Sequence, residues 1–181
     1  MRWNGFARSL LFAAAAAAVF PIFALVADPL LGGAPALALY LVGVAVVYAT
    51  GLAPRRSRAV VAAGIASTLG VGVLLLAPSL GTVAAGAALI VGVCRSGLLY
   101  RWRRARALVA ETFLLAGGLA LARFLAGPET AQVAFAIWGF FLVQSFFFVL
   151  GGVAERAEAA AGIDPFEVAR TRAIALMEGN L

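Results

Sequence analysis

Long stretches of this chain carry no charge at all, and that spacing decides what it can fold into. Six apolar segments, at roughly 9–27, 34–53, 59–77, 82–99, 107–126 and 131–153, are each close to the length that a helix needs to cross a bilayer. About 20 mostly apolar residues span the roughly 30 Å of hydrocarbon. A backbone in lipid must satisfy its own hydrogen bonds, so such segments are helical. The 181 residues are 64% hydrophobic and 12% charged, and the mean hydropathy is +1.04. Soluble domains carry about twice that share of charge. The sequence therefore predicts an all-α polytopic membrane bundle of about six helices, arranged as three antiparallel hairpins (1–154), followed by a cytoplasmic tail (155–181). A disordered chain, a disulfide-stapled domain and a soluble enzyme are excluded.

The connections alternate in charge. Arg2 and Arg8 precede the first segment, Arg55, Arg56 and Arg58 follow the second, and Arg101, Arg103, Arg104 and Arg106 follow the fourth. The intervening connections hold Asp28, no charge, and Glu129. By the positive-inside rule both termini are cytoplasmic, in a bacterial-type inner membrane. The net charge of +6 is accounted for by orientation and by contact with anionic lipid. No nucleic-acid partner is expected. The first segment is too long, and lacks a clear cleavage site, for a removed signal peptide; it reads as a retained anchor, and Pro21 is expected to kink it. Trp3, Tyr100 and Trp102 sit where an inner aromatic belt would lie.

Chemistry is limited by what is missing. The chain has no His, one Cys (Cys94) and two Asp (Asp28 and Asp164), and all fourteen of its basic residues are Arg. Zinc sites, bis-His haem and His-dependent nucleophilic catalysis lack their residues. No cofactor, no metal and no enzymatic activity are expected.

Ionisable groups inside spans are costly and are candidate sites by default. Arg95 lies a few residues before the inner end of the fourth segment, and Glu111 an equal distance into the fifth. Across an antiparallel hairpin those offsets place both at one depth, which predicts an ion pair. Two readings stay open: a clamp between helices, or a proton-coupling or solute-binding carboxylate tuned by Arg95. Gln144 and Ser145 form a polar patch in the sixth segment and need partners on a neighbouring helix. Arg123 is an outer-interface charge that can snorkel or meet Glu129 or Asp28.

Packing signals are uneven. Segments three and four are rich in small residues, with Ala66-xxx-Gly70 and Gly92-xxx-Ser96 allowing close approach. Segment six is bulky, with Phe135, Trp138 and Phe146, Phe147 and Phe148. Its mass points to a lipid-facing wall or a surface for another subunit. The Pro-containing outer turns at 25–29, 75–78 and 125–128 are either a repeated hairpin or simply helix ends. In the tail, Asp164-Pro165-Phe166-Glu167 is a helix start. Phe166, Ala169, Ala173, Leu176 and Met177 then share one face, which either rests on the bundle or the lipid interface, or docks a cytoplasmic partner.

Six successive alanines, Ala13–Ala18, occupy the first segment. With its size and span count, the chain resembles the substrate-binding subunits of energy-coupling-factor transporters. In that family such a motif on the first helix contacts the partner subunit. No vitamin-binding signature accompanies it. Size and span count are also similar to membrane subunits of cell-shape machinery, without matching motifs. The functional expectation is a non-catalytic subunit or accessory protein of a larger membrane assembly, with other membrane subunits or further copies of itself as partners. The alternative is a small-solute transporter, or the substrate-binding subunit of one, working through Glu111 and Arg95.

Overall fold

A computed structural model describes residues 5–53, 56–99 and 104–149. Every regular element among them is helical: α1 (Gly5–Leu31), α2 (Gly33–Gly51), α3 (Arg56–Leu76), α4 (Leu80–Gly92), α5 (Arg104–Leu125) and α6 (Thr130–Ser145). A π-helical stretch, Val93–Leu99, continues α4, and a 3₁₀ turn, Phe146–Phe148, ends α6. Four helical runs are long and apolar enough to cross a membrane: α1, α2, α3 and Thr130–Phe148. Leu80–Ser96 is a shorter apolar helix. The tail residues Phe166, Ala169, Ala173, Leu176 and Met177, and the belt residues Trp3, Tyr100 and Trp102, lie outside the described residues.

The first helix runs past the predicted segment 9–27. The break was expected between Asp28-Pro29 and Pro35; α1 passes through both Pro21 and Pro29 and ends inside that interval, at Leu31. The chain turns on a single residue, Gly32, at φ 83° and ψ 153°. Only glycine reaches that region without large strain. The Gly32 N–H donates to the Asp28 carbonyl at 2.9 Å, and the Ala36 N–H donates to the Gly32 carbonyl at 3.0 Å. The other two Pro-containing turns are built differently. Pro78 precedes Ser79, which caps α4 in a reciprocal pair with Thr82: Ser79 N–H donates to Thr82 Oγ1 at 3.0 Å, and Thr82 N–H to Ser79 Oγ at 3.3 Å. Pro128 precedes Glu129, whose N–H donates to Gln132 Oε1 at 3.3 Å. The second and third turns thus share a Pro followed by a capping box, Ser79 with Thr82 and Glu129 with Gln132, and the first turn does not.

α6 and the turn that ends it are packed on one side and bulky on the other, where Phe135, Trp138 and Phe146 are exposed. The most extensive packing of α6 is against α1 and α5, while α2 packs on α3 and α4. Ala136, Ile137, Gly139 and Phe141 are buried. Gly139 permits the approach to α5, since an added Cβ would stand 2.8 Å from Leu125 Cδ1. Inside the bundle Phe141 packs with Phe12 and Tyr48 at ring separations of 5.2 and 5.0 Å. Elsewhere the core is alanine-rich. The helical period splits the alanine run, burying Ala13 and Ala16 and exposing Ala14, Ala15 and Ala18. Close helix approach recurs at Gly70, where a Cβ would stand 2.5 Å from Val42 Cγ1, and at Gly86, where it would stand 2.6 Å from Val73 Cγ2.

The outside is as apolar as the inside. Leu25 is 78% exposed, and Leu76 and Phe124 are each 84% exposed. Helices that are apolar all round have lipid or other protein as their surroundings. Replacing Gly32 with Ala should lower stability in detergent by about 1–3 kcal/mol. Gly33→Ala is the control, because its Cβ meets nothing within 4 Å. Equal melting temperatures for the two variants would show that the turn does not depend on the positive φ.

Candidate functional site

The largest buried polar side chains of the described residues meet in one place, inside the bundle. Arg95 and Gln144 are fully buried, and Glu111 is 5% exposed. The guanidinium forks onto the carboxylate: Nε donates to Glu111 Oε2 at 3.2 Å and Nη2 to Oε1 at 2.5 Å. Such a two-pronged contact combines charge with fixed geometry. Nη2 also donates to Gln144 Oε1 at 2.7 Å, and Nη1 to the Gln144 carbonyl at 3.1 Å. The Phe147 ring centroid lies 4.2 Å from Arg95 Cζ, within cation–π range.

The carboxylate is equally well held. Ser96 Oγ donates to Glu111 Oε2 at 2.7 Å. Arg95 and Ser96 are successive, and both face Glu111 from the π-helical stretch. A π-helix longer than a single turn is rare, and π segments gather at functional sites. Two glycines give the cluster its room. A Cβ on Gly92 would press on Leu115 Cδ1 at 3.0 Å and Glu111 Oε1 at 3.2 Å; one on Gly118 would press on Gln144 Nε2 and Phe140 Cδ2, both at 3.0 Å. The Gln144 amide is completed by donation from Nε2 to the Leu114 carbonyl at 2.9 Å.

Two further helices join. Ser9 Oγ and Tyr48 Oη share a hydrogen bond of 2.7 Å, and the Tyr48 hydroxyl interacts with Arg95. The network thus draws on α1 (Ser9), α2 (Tyr48), the continuation of α4 (Arg95, Ser96), α5 (Glu111) and α6 (Gln144). No buried side-chain nitrogen or oxygen among the described residues lacks a hydrogen-bond partner. The carboxylate and the guanidinium thus join the α4 continuation to α5 and, through Gln144, to α6.

Of the residues expected to matter, Arg95, Glu111 and Gln144 come together. Ser145 is buried beside them in sequence but turns back on its own helix, donating to the Leu142 carbonyl at 2.6 Å. It is not part of the cluster. Arg123 is exposed and makes no ion pair among the described residues with Asp28 or Glu129. Glu129 instead stands at the N-cap of α6, where the helix dipole favours a carboxylate. Ser9 and Tyr48 escaped the sequence reading. Their signal was depth: each lies near the arginine-flanked end of its helix, as Arg95 and Glu111 do.

No family model, curated protein or solved structure matches the chain. The site therefore has to be interpreted from its own geometry.

Breaking a buried pair leaves a charge uncompensated, at a cost of about 3–5 kcal/mol. Glu111→Gln should lower unfolding free energy in detergent by an amount of that order. The double substitution Arg95→Met/Glu111→Leu should recover part of the loss, although Gln144 loses its donor. A double variant no more stable than Glu111→Gln would show that the cost lies in packing rather than in the orphaned charge.

Proposed function

We propose that the chain is a multi-pass inner-membrane protein with six spans in three antiparallel hairpins and cytoplasmic termini. We further propose that it serves as a non-catalytic subunit or accessory protein of a larger membrane assembly. The observation that carries the functional reading is the closure of the Arg95–Glu111–Gln144 network. Its polar atoms are consumed by one another and withdrawn from the surface, as suits a structural hub. A transport site near the bilayer midplane keeps polar groups available for its cargo.

Two things support the topology. Charges alternate across the successive connections. The network also takes residues from the start of α1, the end of α2, the end of the α4 continuation, the start of α5 and the end of α6. Helices that alternate in direction bring those positions to one side. The broad apolar exterior supports contact with lipid and with other membrane chains.

Orientation is tested by cysteine labelling in a Cys94→Ser background. An impermeant maleimide should label Pro78→Cys in intact cells, and Ser57→Cys only after permeabilisation; both positions are exposed. The reverse pattern would invert the topology. The functional reading is tested by purification in mild detergent and identification of the accompanying chains. A stoichiometric membrane partner is expected. A monodisperse chain without partners, stabilised by a small solute, would overturn the subunit reading in favour of transport.

A further inference from the structure

An open groove of about 400 Å³ lies between α1 and α2. Phe12, Ala15, Val19 and Phe23 form its α1 side, and Tyr40 and Gly43 belong to its α2 side. Its lining is apolar even at Tyr40, whose hydroxyl is spent on the Ala16 carbonyl. Its floor is open at Gly43, where a Cβ would meet nothing within 4 Å. Positions 12, 15, 19 and 23 follow the helical period, and the same stripe continues back to Arg8. Arg8 is exposed and forms no ion pair among the described residues. Arg8 lies one helical turn before Phe12, the first lining residue of α1. Phe12 and Phe23 are eleven positions apart, a rise of about 16 Å. That matches one leaflet, half of the roughly 30 Å hydrocarbon core.

We propose that this groove seats an acyl chain of one anionic phospholipid, with its phosphate held by Arg8. Charge at one end, an apolar trough of leaflet depth and a gap left by Gly43 together match a lipid with a negative headgroup. A zwitterionic lipid fits the trough but gains less at Arg8, because its headgroup carries no net charge. The proposal rests on the membrane-spanning reading. Co-fractionation of the chain with membranes reports on that reading, while the lipid experiment reports on the groove alone.

The test is native mass spectrometry of the full chain, released in parallel from micelles containing phosphatidylglycerol or phosphatidylcholine with the same acyl chains. One phosphatidylglycerol should be retained, in roughly fivefold preference to phosphatidylcholine, the discrimination a single arginine gives near an anionic surface. Gly43→Phe, whose Cβ enters open space, should abolish retention, and Gly43→Ala, too small to fill the groove, should keep it. Arg8→Gln should lower phosphatidylglycerol retention to the phosphatidylcholine level. Equal retention of the two lipids, undiminished retention by Gly43→Phe, or the absence of any bound lipid would each overturn the proposal.

Discussion

The Arg95–Glu111 pair sets the terms for the rest of the bundle. An arginine and a glutamate in an apolar interior lose their hydration, and that loss is recovered only with close geometry and a partner for every remaining donor and acceptor. Here the carboxylate takes three hydrogen bonds, and the guanidinium is shared between Glu111, Gln144 and the Phe147 ring. Each contact fixes a helix. The continuation of α4 must present Arg95 and Ser96 together, α5 must present Glu111, and α6 must present both the carbonyl and the side chain of Gln144. A slip of any one by a residue would leave a buried charge or amide without its partner.

That demand explains where the glycines fall. Hydrophobic burial gives little drive for helix association when the surroundings are themselves hydrocarbon, so packing and hydrogen bonds carry the assembly. Packing needs short distances, and short distances need missing side chains. Gly92 and Gly118 stand at the network and make room for Glu111 and Gln144. Gly70, Gly86 and Gly139 bring α2 to α3, α3 to α4, and α5 to α6 where no polar contact operates. The alanine run of α1 does similar work on one face, while its other face is left to the groove beside α2.

Much of this could be read from residue order, and what could not has a physical cause. Equal offsets from the arginine-rich connection were enough to pair Arg95 with Glu111, because an antiparallel hairpin converts sequence distance into depth. An amide in an apolar helix had to find a partner, which pointed to Gln144. Ser145 carried the same signal and resolved differently: a short hydroxyl can reach its own helix backbone, and a longer amide must look elsewhere. Tyr48 and Ser9 stayed hidden because their polar atoms are small and their segments read as continuous apolar runs. Aromatic bulk alone could not say which residues of the sixth segment face outward: Phe135, Trp138 and Phe146 are exposed, whereas Phe141 and Phe147 are buried. The break between Asp28-Pro29 and Pro35 was legible, but its turning residue was not: α1 continues through Pro29, and Gly32 holds the conformation that the turn requires.

The polar contacts are not distributed evenly along the helices. Ser9, Tyr48, Arg95, Glu111 and Gln144 gather toward one end of the bundle, the end where α1 and α5 begin and α2 and α6 finish. The opposite end is held by a one-residue turn at Gly32, by the Ser79–Thr82 cap and by close approaches such as Gly139 on Leu121 and Leu125. Polar networks in a low dielectric are strong when saturated and break at high cost, while apolar contacts separate in small increments. The two ends therefore differ in kind, one locked in register and one held by packing alone. Separating helices at the packed end orphans no buried charge, whereas separating them at the other end breaks the Arg95–Glu111 pair.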